Sequence, residues 1–366
     1  MPLAENIQHL CYLPFLNATS LCQLLANLPY HQRVFSYLWE KVRPRCWWNL
    51  LQSVANQWLF EDKPFQVLLK REWWSLMIRR LRNSASRWKT WPPFGFAIFN
   101  ACVILPDMTI PIAAQLWVPA YIAGYQSKIM MAIATVKHIA RQANKHDINV
   151  RGLTVVFDSW YFAVALCQVI RFYQMHFITH STSNRYFRLP DVAGKPGTRI
   201  QARELIDSNR IGQMKRCDRL QVRYAHMGRL NLPRYGWVFA TVVYNPKRSP
   251  QKFLLVTNNL AANGPSVIEK YQKRWGVEVM IRAAKQNVGL EQFHIPHFSG
   301  ICAHVALMML DYLLLSWIRY HYHLRASMGQ LVHRLFHECM VQAVGKAHDS
   351  SHQQTDDALK WLPLAA

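Results

Sequence analysis

Apolar and polar positions fall into an orderly succession only from Gly95 onward. Two apolar runs, Phe94–Leu105 and Met108–Val118, flank the Pro106–Asp107 dipeptide and predict two strands joined by a turn. Ser127–His146 has apolar residues at helical spacing and predicts an amphipathic helix. Leu153–Phe157 reads as a buried strand, closed at its C-terminal end by Asp158. Tyr161–His176 predicts the following helix, and Phe177–Phe187 a further strand. Strand, strand, helix, strand, helix, strand is the order of an α/β core. Residues 195–250 are strand-rich with polar turns and predict an inserted β-rich region. A helix is expected through Glu269–Phe293, with Asn263 or Gly264 as its cap and Pro265 in its first turn.

The flanks are less regular. Residues 1–40 show Leu-rich helical periodicity. Residues 41–94 hold seven tryptophans (Trp47, Trp48, Trp58, Trp73, Trp74, Trp88 and Trp91) and many arginines, without a sustained helical or strand period. The organisation expected is therefore a helical to irregular N-terminal region over 1–94, an α/β domain over 95–330, and a polar helical tail over 331–366. Ile301–Ile318 is nearly long enough to span a bilayer. His304 and Asp311 interrupt it, and a buried core helix is expected instead, with no membrane as partner.

Charge changes the picture. Lys and Arg number 43 against 20 Asp and Glu, a formal charge of +23, and the pI is about 9.9. So basic a chain suits a polyanion, nucleic acid being the commonest and a membrane surface the other candidate. The eight cysteines form no CxxC pair and no metal-ligand spacing, which reads as reduced thiols in a cytoplasmic protein. The N-terminal residues show no basic segment followed by an apolar run, so a signal peptide is not expected.

Two places could carry chemistry. On one continuous helix, Tyr271, Arg274, Glu278 and Lys285 would share a stripe within about a 60° wedge. Asp158, at the mouth of a buried strand, is either a metal ligand or a turn and cap residue. Asp158 and Glu278 together would supply hard oxygen ligands from a strand and a helix, suited to Mg²⁺ or Mn²⁺. Two such ions about 4 Å apart can drive phosphodiester cleavage. Arg274 and Lys285 would hold phosphates.

The spacing Tyr271-x2-Arg274-x3-Glu278-x6-Lys285, with "VVFDSWYF" around Asp158, resembles the IS-four family of bacterial insertion-sequence transposases of the DDE type. The resemblance covers roughly residues 95–325. It implies a ribonuclease-H-like fold, with a β insertion between the second catalytic Asp and the Glu. It implies metal-dependent cleavage and strand transfer at insertion-sequence ends. Asp158 becomes the second acid and Glu278 the third, while Tyr271, Arg274 and Lys285 contact the transposon end. Trp160 either stacks on a base or belongs to the core. The implied partners are double-stranded DNA, as terminal inverted repeats and as target, with assembly into an oligomer on DNA. The implied location is the cytoplasmic nucleoid.

The family requires three acids, and the first should end a strand just before Phe94. No Asp or Glu lies between Glu72 and Asp107. Asp107 falls in the expected hairpin turn, and Asp62 has no strand leading into it. Cleavage is therefore expected to be impaired, and a non-catalytic protein of the same fold, occupying transposon ends, is the alternative. The coding of Glu72–Arg79 offers an explanation. Read from the third base of each codon, Trp73 into Trp74 gives Val, and Met77 into Ile78 gives Asp. Leu76 into Met77 also gives Asp if the Leu codon ends in G. The overlapping frame can thus encode an apolar strand ending in an Asp-Asp pair. This points to a frameshifted or decayed gene over residues 41–94, a stretch that would then pack poorly with its tryptophans exposed.

Overall fold

Strand β4, Thr154–Phe157, is buried along its whole length because a neighbouring strand lies on each side and helices cover the sheet. The computed structural model describes residues 43–57, 75–82, 97–105, 108–118, 125–246, 249–290, 298–335 and 337. Two compact units emerge: residues 52–278, and residues 1–51 together with 279–366.

The first unit is built on a sheet of eleven strands among the described residues. Strands β1 (Ser75–Arg82), β2 (Ala97–Ile104) and β3 (Thr109–Trp117) form an antiparallel meander. Helix α2 (Lys128–Lys145) follows, then β4, helix α3 (Val164–Phe172) and β5 (His176–Ser181). β1 runs parallel to β4, and β4 parallel to β5. The chain then adds β6 (Tyr186–Pro190), β7 (Pro196–Gln201), helix α4 (Ala202–Asp207), β8 (Lys215–Cys217), β9 (Val222–Leu232), β10 (Gly236–Asn245) and β11 (Ser249–Thr257). The order across the sheet is β3-β2-β1-β4-β5-β11-β10-β9-β6-β7, with β8 paired to β9.

Both faces of the sheet are dressed. Phe157 and Phe177 meet at 5.9 Å between ring centroids, and Phe162 and Tyr235 close on Phe177 at 6.1 and 5.6 Å. Val156, Ile178, Phe239, Val243 and Leu255 form a core with Val267 and Ile268 of helix α5, Gly264–Gln272. α5 starts as its sequence requires. The Asn263 side chain accepts the Ser266 N–H at 2.9 Å, and Pro265 occupies the first turn.

Several expectations change. Phe177–Phe187 is not one strand: β5 and β6 are separated by a turn, and β6 pairs with β7 and β9 rather than with β4 or β5. The inserted β region thus begins at Tyr186, before residue 195, and includes α4. The helix expected through Glu269–Phe293 is two helices, α5 and α6 (Trp275–Asn287), broken at Lys273–Arg274. The aperiodic segment after residue 41 contains helix α1, Pro44–Asn56. There Trp47, Leu51 and Ala55 are buried at four-residue spacing, so poor packing is not found over this stretch. Residues 1–42, Asp62, Asp107 and the tryptophans at 58, 73, 74, 88 and 91 lie outside the described residues.

In the second unit, α7 (Phe298–His321) is apolar and long enough to cross a membrane. However, 78% of its most apolar window is buried within the fold, as expected of a core helix. Its His304 donates to the Gly289 carbonyl at 3.0 Å. Burial pushes that imidazole down to about 4, so it sits in the core neutral.

The approach of α5 to the sheet depends on Gly264. A Cβ there would lie 2.7 Å from Tyr224 Cδ2 and 3.1 Å from His226 Cε1. Gly264→Ala should cost about 1–3 kcal/mol by overpacking, read as a lowered denaturant midpoint at unchanged slope. Unchanged stability would mean that the Tyr224 ring yields freely.

Candidate active site

Because β4 is buried, the first residue beyond it has a defined place at the sheet's C-terminal edge. That residue is Asp158, extended at φ −74° and ψ 158°. It precedes a single 3₁₀ turn, Ser159–Tyr161, yet its side chain makes no capping hydrogen bond. Its carboxylate instead accepts the Ser159 hydroxyl at 3.1 Å. Tyr161 anchors the turn, buried against Phe99 at 6.1 Å between centroids. Trp160 is thereby turned outward, 67% exposed, which excludes the core role for it. Lys128 Nζ lies 4.3 Å from the Trp117 ring centroid and 5.9 Å from that of Trp160.

The break between α5 and α6 arranges the second part. Arg274 immediately precedes α6, and Glu278 lies in that helix's first turn rather than in mid-helix. A cation at a helix N-terminus opposes the macrodipole, whereas a carboxylate there is favoured. Arg274 Nη2 donates to Glu278 Oε1 at 2.9 Å, with the side chains 20% and 13% exposed. The Arg274 guanidinium is 5.6 Å from the Tyr271 ring centroid. Three members of the expected stripe therefore remain together despite the break. Lys285 closes the last turn of α6, in the other unit.

His180 on β5 connects the two parts. Burial lowers its pKa; the Asp158 charge raises it and the Arg274 charge lowers it further. Both groups therefore act on one imidazole. The ring is also 5.4 Å from that of Phe253. A cleft of about 610 Å³ opens here, lined among others by Ser159, His180, Phe253, Tyr271, Arg274 and Trp275. With Lys252, Arg274 and aromatic rings in its wall, and Asp158 next in the chain to Ser159 of its lining, the cleft suits a phosphate-bearing, base-bearing polymer. His180, Phe253, Trp275 and Lys128 were not singled out in the sequence. Only strand alternation could have placed His180 beside Asp158.

A family model for the transposase DDE domain matches residues 122–314, more than half of the chain and inclusive of Asp158, Trp160, Tyr271, Arg274, Glu278 and Lys285. The chain belongs to the DDE transposase family. Comparison with curated proteins finds no match. DDE transposases generally use divalent metal ions. Among the described residues no group of three or more His, Cys, Asp or Glu is placed to hold a metal. β1, the strand paired with β4 on the side away from β5, reads Ser-Leu-Met-Ile-Arg-Arg-Leu-Arg and contains no carboxylate.

The opposing effects on His180 give a direct check of this candidate site. Its histidine NMR titration should lie below the usual midpoint near 6.5. Removing the cation in Arg274→Ala should raise the midpoint, and removing the anion in Asp158→Asn should lower it. Since the folded state disfavours the proton, His180's contribution to stability is present above the ordinary histidine range and declines as pH falls below it. An unmoved midpoint in both variants would show that the three groups do not share a site.

Proposed function

We propose that the chain is a DNA transposase of the insertion-sequence type, of the IS-four group, whose cleavage centre retains Asp158 and Glu278 and lacks its first acid. The observation that carries this reading is the parallel pairing of β1 with β4. Met77 is level with Val156 and Ile78 with Phe157, so β1 passes beside Asp158 with no carboxylate to offer. The antiparallel meander running into parallel β4 and β5, covered by helices and followed by a β insertion, supports a ribonuclease-H-like core. In a complete centre, Mg²⁺ or Mn²⁺ between the acids would supply phosphodiester cleavage chemistry. In this chain Asp158 and Glu278 are the remaining acids, and Glu278 is held by Arg274. The partners are terminal inverted repeats and target DNA, bound by an oligomer in the cytoplasmic nucleoid. Tyr271, Arg274 and Lys285 hold the phosphates of the transposon end, and the outward ring of Trp160 stacks on a base. A non-catalytic protein occupying transposon ends is the second reading, favoured by the absent acid.

The register also bears on the gene. The overlapping Asp codon spans Met77 and Ile78, the two residues level with the last two of β4. An in-frame acid at that point would lie on the strand next to Asp158. Since α1 packs, the out-of-frame stretch is proposed to lie beyond it.

Two experiments test these assignments. Arg274→Ala and Lys285→Ala should each weaken end binding by about tenfold or more, the scale of a charge-assisted hydrogen bond. Unchanged binding in both would show that the stripe does not face DNA. For cleavage, the chain should nick its own ends little in Mg²⁺. Shifting the frame over Glu72–Arg79 and restoring it before Phe94 should install nicking, lost again on Asp158→Ala or Glu278→Ala. Full-rate nicking by the unshifted chain would overturn the incomplete-centre reading, and Asp62 would be the first residue to replace.

A further inference from the structure

Cross-strand register follows one face of the sheet from His180 outward, beneath α5 where Phe239, Thr241 and Leu255 are buried, to an exposed far part on β6, β7 and β9. Arg199 on β7 pairs with Arg188 on β6, Arg188 with Asn231 on β9, and Asn231 with Trp237 on β10. Directly paired residues share a face, and residues two apart along a strand share it too. Trp237, Phe239 and Thr241 thus lie on one face of β10. Thr241 pairs with Leu255, and Leu255 with His180. Arg229, paired with Phe239, joins the same face, as does Tyr186, two residues before Arg188. The opposite face of the same strands is core: Phe187, Leu230, Leu232 and Val238 are buried.

Arg188, Arg199 and Arg229 are exposed, and none forms an ion pair among the described residues. Arg188 and Arg199 stand directly opposite each other, an arrangement that destabilises a sheet. The comparable pair on β8 and β9, Arg216 and Arg223, is relieved within the chain. Arg216 is bridged by Asp218, and Arg223 donates to the Ile211 carbonyl at 3.2 Å. Among the described residues no such relief exists at Arg188. Tyr186 adds an aromatic ring 3.5 Å from the Arg199 guanidinium carbon. Three exposed cations without an ion pair among the described residues, interleaved with Tyr186, Asn231 and Trp237, form a surface suited to an external polyanion.

We propose that this outer face of β6, β7 and β9 is a second DNA contact, in which Arg188, Arg199 and Arg229 grip the phosphate backbone of the duplex engaged at the Asp158–Arg274 cleft. β6 stands four strands from β5, about 19 Å at roughly 4.8 Å per strand. At 3.4 Å per base pair, the grip falls roughly half a helical turn from the cleft. Such contacts position the duplex without reading its sequence. The inference rests on the DNA-binding reading of the chain and assigns it a surface outside the Tyr271–Arg274 stripe.

The test is the salt dependence of binding, by fluorescence anisotropy, of the full chain to two duplexes, one carrying the terminal repeat and one of unrelated sequence. Each lost phosphate contact should reduce the log-log salt slope by about 0.9. The triple variant Arg188→Ala/Arg199→Ala/Arg229→Ala should therefore flatten the slope by about 2–3 on both duplexes. Arg203→Ala, whose side chain is already paired with Asp207, should leave it unchanged. Circular dichroism checks the fold. Should the triple variant misfold, each single variant must still flatten the slope by about one. Wild-type slopes in the variants, with the parent chain binding DNA, overturn this face while leaving the DNA-binding reading intact. A parent chain that binds neither duplex overturns that reading itself.

Discussion

Burial of β4 between two parallel neighbours is the constraint on which the site depends. A strand hydrogen-bonded on both edges and covered on both faces has no freedom of register, since a one-residue slip would exchange its two faces. Phe157 is fixed against Phe177 on one side of the sheet, and Val156 against the α5 core on the other. Asp158 is the first residue released from that constraint, and Tyr161 pins the chain again three residues later. The carboxylate is thus held from both ends at the sheet margin, on a segment too short to move independently of the core.

The interruption between α5 and α6 does for Arg274 and Glu278 what the end of β4 does for Asp158. An uninterrupted helix would leave Arg274 flanked by backbone already hydrogen-bonded within the helix. The break instead makes it the residue that introduces a new helix, where its charge is unfavourable to the dipole and is offset by Glu278 one turn on. The pair is largely buried, where the cost of desolvating both charges offsets much of their attraction, and this order, cation before anion, is the weaker one for helix stability. Stability alone therefore gives little reason for the pair. Its effect is to fix the guanidinium at the wall of the cleft, beside Tyr271 and within electrostatic reach of His180.

What could be read from the sequence followed from how strongly local pattern fixes structure. The β2–β3 pair, α2, β4 and α3 were legible because each buries a continuous face, and Asn263 with Pro265 announced the start of α5. The α5–α6 break was not, because Lys273 and Arg274 are good helix formers and nothing local marks a stop. β6 was missed as a separate strand because it is five residues long with a single fully buried side chain, Phe187. α1 was hidden by its tryptophans, whose bulk obscured the four-residue spacing of Trp47, Leu51 and Ala55. Of the site, Asp158, Arg274 and Glu278 were visible as motif positions. His180 was not, since a histidine on a strand acquires meaning only from the strand beside it. Trp160 was ambiguous until the buried Tyr161 showed which way the turn faces.

On the proposed reading, binding and cleavage draw on different parts of this molecule, and this shapes what the loss of the first acid would mean. Phosphate attraction depends on many cations spread over a surface, each contributing a modest and roughly additive share. Losing one carboxylate from a chain of formal charge +23 leaves that attraction intact and slightly increases it. Cleavage depends on a few oxygen ligands at fixed positions, where removing one changes coordination number and geometry together. A change confined to β1 would therefore remove one activity while sparing the other, provided the strand still pairs. The backbone ladder from Ser75 to Arg82 meets that condition: its hydrogen bonds to β2 and β4 are made by main-chain groups and do not require an acidic side chain at any position.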